Sequence, residues 1–384
     1  MENILAVALA VAALPVQDRP AALDPIEKVE VGRNREFRVN GKPFFPLVSW
    51  AQATRRYERL RALGFNAFCG GSGKLSCDAA RQAGGYAMPH FDAALKGHPG
   101  LLAWCQSDEP DLGFDKGQPR VAPEAVVERY RKIRAADDTR PVFQNLTSAF
   151  MESGPGSEKR TPADRKAYYE AVAQGADILG FDIYPIYGWN RDDHLDWVAD
   201  GTRDLLRYAG KRPVLAFIET SKGSKWIDTE RQKDVKPEHV RAEVWMAVIR
   251  GATAIAYFTH AWRPEFTEFR PDDEMQKELQ RLNGQITRLA PAILADPAKV
   301  KVSIAIEGGL PGEVLAKEHE GALYLFANNL DMKRRGGRAT VVVEGLAKGA
   351  KVEVIDEGRA IAADDGRFSD DFGPLGVHIY RISK

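Results

Sequence analysis

The chain has 384 residues, 44% of them apolar and 28% charged, with 54 Lys and Arg against 54 Asp and Glu. That much apolar material excludes disorder for most of the chain, and zero net charge excludes the basic field that nucleic-acid binding needs. Three cysteines, none in a CxxC pair, exclude a disulfide framework and a zinc-finger pattern.

Ile4 to Leu14 is an unbroken apolar run, followed by Pro15 and a polar stretch to Asp24. It is too short for a membrane-spanning helix, which takes about 20 residues. It matches the apolar core of a secretory signal, with Ala-Val-Ala at 10–12 as the small-residue cleavage site, although Met-Glu-Asn lacks the usual basic start. Residues 1–24 are therefore expected to be a leader, and the protein to be secreted or periplasmic. From residue 25, VEVGRNREFRVNGKPFF alternates apolar and polar residues, and Asn40-Gly41 is a two-residue hairpin signal. A hairpin from Val29 to Phe45 is expected to cap the main body of the chain.

Eight strand-length apolar runs then recur: 44–50, 65–71, 86–91, 101–110, 141–147, 177–186, 212–220 and 254–262. Each is nearly continuously apolar, as in parallel strands covered on both faces. Amphipathic helical segments separate most of them, at 53–64, 122–137, 161–175, 194–210 and 236–252, and a long one at 272–294 comes after the eighth. Eight βα units predict a (β/α)8 TIM barrel over 25–298. A doubly wound open sheet is the rival, but no glycine fingerprint follows the first strand. After residue 298 the pattern becomes short strands with turn signals and no helix, which predicts a small all-β sandwich over 299–384.

TIM-barrel chemistry sits at the C-terminal ends of the strands. The fourth run ends in Gln106-Ser107-Asp108-Glu109-Pro110 and the seventh in Phe217-Ile218-Glu219-Thr220. A carboxylate ending an apolar strand is costly unless solvated or paired. The plain structural role for one such Glu is a helix N-cap or a loop ion pair. Two facing each other across a barrel mouth are what glycoside cleavage uses: one protonates the leaving oxygen, the other attacks the anomeric carbon.

On these residues the chain resembles the clan A glycoside hydrolases, retaining (β/α)8 enzymes with the acid/base on strand four and the nucleophile on strand seven. VNGKPFFPLVSW followed by ERLRALGFNAF is similar to the start of the β-galactosidase-like members. The resemblance makes Glu109 the acid/base and Glu219 the nucleophile. FDIYPIYG resembles the sixth-strand segment, making Tyr184 the phenol that hydrogen-bonds the nucleophile, and AYFTHAW resembles the eighth, making Trp262 the floor of a sugar subsite. One departure stands out. The family has Asn before the acid/base, whereas this chain has Asp108, which when ionised accepts but cannot donate a hydrogen bond. An anion there also raises the pKa of Glu109.

His90 and His260 end the third and eighth strands, and either serves equally well as a scaffold histidine. The seven histidines show no HxH or HExxH spacing, so a metal set would need His90, His260 and an acid to converge in space. Trp50, Trp226 and Trp262 fall at or after strand ends; Gln52, Gln144 and Asn145 are candidate hydroxyl binders. Cys69-Gly70-Gly71-Ser72-Gly73-Lys74 misses the phosphate-loop spacing and reads as a strand-to-helix loop. In an exported chain Cys69 and Cys77 are the pair expected to bridge, with Cys105 a buried thiol.

The expected function is a retaining glycoside hydrolase acting on an oligo- or polysaccharide, with no cofactor, no metal, no membrane span and no nucleic-acid partner. Asp108, Tyr184, Trp262, His260, His90, Trp50 and Asn145 are its expected substrate-binding residues. The alternatives are a non-catalytic carbohydrate-binding barrel and a metal-assisted barrel hydrolase. Sugar, linkage and oligomeric state carry no sequence signal.

Overall fold

The computed structural model describes residues 21–383 apart from Ser72 and Gly156, so most of the expected leader lies outside the described residues. Residues 21–24 are held on the barrel: Leu23 N–H donates to Gly84 O, and Arg81 and Tyr86 donate to the carbonyls of Leu23 and Asp24.

The opening sheet has three antiparallel strands, β1 (Val29–Val31), β2 (Phe37–Val39) and β3 (Lys42–Phe44), where a two-stranded hairpin was expected. Asn40 and Gly41 both take positive φ, 51° and 77°, the two left-handed residues of a type I′ turn. A second turn precedes it, where Gly32 N–H donates to Glu36 O and Arg35 has φ 64°. Ile26, Val29, Phe37 and Val39 join the side chains inside the barrel, so this sheet stops its N-terminal end.

Eight parallel strands come next: β4 (Leu47–Trp50), β5 (Ala67–Cys69), β6 (Tyr86–Met88), β7 (Trp104–Cys105), β8 (Val142–Thr147), β9 (Ile178–Asp182), β10 (Val214–Glu219) and β11 (Ala254–Phe258). They pair in chain order, with β11 returning to β4. Between β6 and β7 the ring is closed by two parallel bridges, Ala87–Leu101 and His90–Cys105. Along β10, Leu215 and Phe217 fill the barrel while Val214, Ala216 and Ile218 pack outward, which is why both parities are apolar.

The outer layer holds α1 (Tyr57–Ala62), α2 (Gly73–Gln82), α3 (Pro123–Ala136), α4 (Pro162–Val172), α5 (Pro185–Trp189), α6 (Trp197–Ala209), α7 (Pro237–Arg250) and α8 (Asp273–Ile293). Helix α2 stands where the sequence reads as a glycine-rich loop. A Cβ on Gly71 would lie 2.3 Å from Ser76 Oγ, so the glycine lets the chain pass close to the helix it enters. Cys77 sits on the buried face of α2, while Cys69 faces Cys105 inside the barrel with the sulfurs 3.7 Å apart. The expected Cys69–Cys77 pairing is therefore corrected: all three cysteines are free thiols.

The last strands are β12 (Asp296–Pro297), β13 (Val302–Ile306), β14 (Gly312–His319), β15 (Ala322–Asn329), β16 (Gly337–Val343), β17 (Lys351–Val354), β18 (Arg359–Ala362), β19 (Arg367–Phe372) and β20 (Val377–Ser383). They form a six-stranded sheet, β12-β14-β15-β20-β17-β18, and a three-stranded one, β13-β16-β19. On β15, Leu323, Leu325 and Ala327 point into the space between the sheets. Phe326, of the other parity, belongs to the barrel-side core and stacks on Trp245 of α7 with 5.7 Å between rings.

Candidate active site

The chain bends sharply where β7 ends. Glu109 has φ 45°, a left-handed backbone that a non-glycine residue adopts at a cost of order 1–3 kcal/mol. Such strain persists only where surrounding contacts enforce it. Here the loop is pinned from below by Asp111, fully buried, which accepts from Thr147 N–H and Oγ1 at the end of β8 and from Tyr169 Oη on α4 at 2.7 Å. Burial pushes the Asp111 carboxyl up to about 6 despite these donors.

Thus aimed, Glu109 is half-buried at the mouth with Arg120 Nη2 3.8 Å from its Oε2. Its carboxyl also meets Asp182, the last residue of β9. Burial first, and then the neighbouring charge of Asp108, raise the Glu109 pKa; the contact with Asp182 pulls it back in part. Asp182 is pushed well up, by burial and then by Glu109 and Asp108. Two carboxyls this close oppose each other's ionisation. Asp108 is the third acid. Its Oδ1 accepts from Asn145 Nδ2 at 3.0 Å, and burial raises its pKa too.

Glu219 ends β10 in a different setting. It is wholly buried, and its oxygens accept from the backbone N–H of Ile186 at 2.8 Å and Tyr187 at 2.5 Å. These are free N–H groups of the first turn of α5, which starts at Pro185, so the carboxylate caps that turn. Burial raises its pKa to about 7, offset in part by those two N–H groups and by Glu243 of α7. Glu243 is also wholly buried and is pushed well up, by burial and then by Glu219. Neither Glu243 oxygen has a hydrogen-bond partner among the described residues, and of the two acids Glu243 is the one held more firmly towards its protonated form.

The structure therefore gathers Asp108, Glu109 and Asn145 with Asp182 at the mouth, and seals Glu219 behind α5. Tyr184 lies between them: its ionisation is opposed by burial and by Asp182, Asp108, Glu109 and Glu219, and its ring packs 4.9 Å from Phe258. Among the described residues no hydrogen bond joins its hydroxyl to Glu219. Trp50 ends β4 at the mouth, edge-on to Phe217 at 5.4 Å. His90 is exposed, with Nδ1 3.3 Å from Cys105 O. His260 is buried, with Nε2 3.3 Å from Ala51 O, and burial lowers its pKa. Gln144 and Gln52 are turned to their own scaffold, donating to Ser107 O and to Thr259 Oγ1. Trp262 is 42% exposed on the rim, 4.8 Å from Phe266, with Lys225 Nζ over its ring at 4.9 Å and over that of Trp226 at 5.0 Å. No three His, Cys, Asp or Glu side chains converge as a metal set among the described residues.

Sequence reasoning missed Asp182 and Glu243. Asp182 was visible as an acid within the apolar FDIYPI run. Glu243 was visible as the acid of EVWMAVI, a stretch of α7 that is buried throughout.

Residues 102–268 match the family model described as Glyco_hydro_42, β-galactosidase, and so span every acid of the site. The β-galactosidase LacZ of Lactobacillus acidophilus is 26% identical over 149 residues, 36% of this chain, and the match spans only 21% of that protein. An α-amylase from Anoxybacillus shares the fold with a TM-score of 0.55 at 9% identity, over 92% of this chain and 99% of its own. A GH42 β-galactosidase from G. stearothermophilus does so with a TM-score of 0.52 at 10% identity, over 88% of this chain and 98% of its own. Over the matched segment, which is under half of the chain, and in its eight-stranded barrel, this chain is similar to the glycoside hydrolases of TIM-barrel fold.

Proposed function

We propose that this protein is a retaining O-glycoside hydrolase acting on an oligo- or polysaccharide, with Glu109 as acid/base. The observation that carries the reading is Glu109 itself: an acid on a strained backbone at the end of β7, its pKa raised by burial and by Asp108. A carboxyl whose proton is held more tightly than usual suits donation to a leaving glycosidic oxygen. Asp182, half-buried beside Glu109 and pushed well up, steadies the anion left once the Glu109 proton has gone. Asn145 fixes Asp108 so that its other oxygen can accept from a sugar hydroxyl. Trp262 offers a ring face at the rim.

Glu219 supplies the nucleophile. Two backbone N–H groups and the contact with Glu243 all favour its ionised form, and an ionised carboxylate is what attacks an anomeric carbon. Both its oxygens are covered in this structure, so attack requires the first turn of α5 to give way. The complete burial of Glu219 favours a second reading, a carbohydrate-binding barrel in which only the Asp108–Glu109 side of the mouth touches sugar.

A panel of aryl glycosides separates the two. Under the hydrolase reading Glu109→Gln loses about 10²–10⁴-fold on substrates with poor leaving groups and much less on activated aryl glycosides. Azide restores turnover of Glu109→Ala with a glycosyl azide of retained configuration, and of Glu219→Ala with the inverted one. Saturable sugar binding without turnover of any glycoside refutes hydrolysis and leaves the binding barrel.

A further inference from the structure

Glu219 cannot attack from where it stands. Both its oxygens hold N–H groups of α5, and Pro185, Ile186 and Tyr187, the residues that would have to move, are all buried. Asp108 and Glu109, by contrast, lie half-buried and adjacent at the mouth, where a sugar can reach them. A double displacement that uses the site as it is built needs its nucleophile from another source.

Asp108 points to that source. It stands immediately before Glu109, where the clan A enzymes carry Asn. Asn145, buried on β8, donates from Nδ2 to Asp108 Oδ1 at 3.0 Å, while its own oxygen is buried with no partner among the described residues, so the amide is committed to holding Asp108. Arg120 Nη1 fixes the Asp108 carbonyl at 3.0 Å. A carboxylate fixed in this way can only accept. It gives nothing to the oxygen of a hydroxyl at C2, but it suits a C2 group that offers an N–H and becomes cationic during the reaction. An acylamino group does both, and its carbonyl oxygen reaches C1 by closing a five-membered ring.

We propose that the substrates are 1,2-trans glycosides of 2-acetamido-2-deoxy sugars, with Asp108 binding the amide N–H and the amide oxygen serving as nucleophile. The inference rests on the reading of Glu109 as acid/base and gives that site a substrate class. In the first step a lone pair of the amide oxygen forms a bond to C1, the bond from C1 to the leaving oxygen breaks, and the Glu109 proton passes to that oxygen. The amide becomes a cyclic oxazolinium ion whose positive charge faces Asp108. In the second step water adds to C1 from the side the leaving group left, its proton passes to Glu109, and the ring bond from C1 to oxygen breaks. The acetamide and the Glu109 proton are restored, and two inversions retain the configuration. Glu219 keeps the nucleophile's part only for sugars without the amide, after α5 gives way.

The test compares the 4-nitrophenyl β-glycosides of N-acetylglucosamine and N-acetylgalactosamine with those of glucose and galactose. The 2-acetamido substrates should have the higher kcat/KM, by roughly 10²-fold or more, because their nucleophile is already in place. Replacing N-acetyl by N-fluoroacetyl and then N-trifluoroacetyl should lower kcat stepwise, since fluorine withdraws electrons from the attacking oxygen. This arm needs no variant. Asp108→Asn keeps an acceptor and loses the charge. It should cost about 10²–10³-fold in kcat on the 2-acetamido substrates, the size of losing one group that stabilises transition-state charge, and far less on glucosides and galactosides; a merely structural role would lower both alike. The thiazoline analogue of the ring should inhibit the wild type and bind more weakly to Asp108→Asn. An N-trifluoroacetyl substrate cleaved as fast as the N-acetyl one, or a sugar found covalently on Glu219 by mass spectrometry during turnover of a 2-acetamido substrate, overturns the proposal and leaves the hydrolase reading standing. Cleavage confined to glycosides without the amide does the same. No turnover of any glycoside refutes the hydrolase reading and the proposal with it.

Discussion

Asp111 gives the most direct physical test of how the site is held. It is wholly buried, with four polar contacts reaching its carboxyl from Thr147 and Tyr169, and burial still outweighs them, raising it from 3.8 to about 6. A carboxyl whose pKa is higher folded than unfolded binds its proton more tightly in the native state. Stability is therefore greatest below pH 3.8, falls as pH rises to about 6, and is level above that. The shift spans roughly two units at about 1.4 kcal/mol each, so this one group removes about 3 kcal/mol between the two limits. Asp111→Asn abolishes the titration. Its amide oxygen can still accept from Thr147 N–H, and its NH2 can donate to Tyr169 Oη once that hydroxyl turns, so the loop keeps its anchor. Thermal unfolding from pH 4 to pH 8 checks this. Relative to wild type the variant should gain with rising pH, by roughly 5 °C in Tm across the range at about 2 °C per kcal/mol for a chain of this length. Parallel profiles for the two proteins would refute the reasoning, because they would mean that the carboxyl is solvated or ionised throughout.

Asp108→Asn removes the anion beside Glu109 and restores a donor. The Glu109 pKa should fall, and because activity is lost as pH rises through the pKa of the general acid, the basic limb of kcat/KM should move to lower pH; an unmoved limb contradicts the coupling. Trp262→Ala should raise KM by roughly two- to tenfold, the equivalent of about 0.5–1.5 kcal/mol for a lost aromatic contact, with Tm unchanged because the ring is 42% exposed. Arg140 is 1% exposed and donates to the carbonyls of Ile26, Glu27, Leu101 and Thr139, tying the residues before β1 to the barrel bottom. Arg140→Met should cost about 2–4 kcal/mol in urea unfolding by leaving buried carbonyls without donors; a loss under about 0.5 kcal/mol would show that the clasp is not holding the prelude.

The barrel was legible because its strands are covered on both faces. FIET and its counterparts read as strands without alternation, and their spacing counts to eight. Helix α2 was not legible, since Gly70, Gly71 and Gly73 imitate a flexible loop, and only the contact between Gly71 and Ser76 shows why glycine is needed there. The partner of Cys69 was hidden for a related reason. Sequence proximity favours Cys77, but Cys77 faces the helix layer while Cys69 and Cys105 face the barrel axis, a difference set by strand parity and not by spacing. Strand β14 is half-buried along its whole length, with no clean apolar side to mark it in the sequence.

For the site, position along a strand told more than residue type did. The two acids singled out both end strands, yet they occupy opposite circumstances: Glu109 is lifted towards solvent on a left-handed backbone, whereas Glu219 continues its strand straight into the first turn of α5. That difference comes from the residues next in the chain. Pro110 and the Asp111 anchor to Thr147 and Tyr169 hold the bend at Glu109. After Glu219, Thr220 stays with the barrel through its hydroxyl, which donates to Phe258 O at 2.8 Å. An acid left in the plane of the barrel has no route to solvent, so its burial is offset by the N–H groups of Ile186 and Tyr187 and by Glu243. The first two follow a different strand and the third lies on α7, which is why a motif read along one strand finds the carboxylate and not the environment that decides its charge.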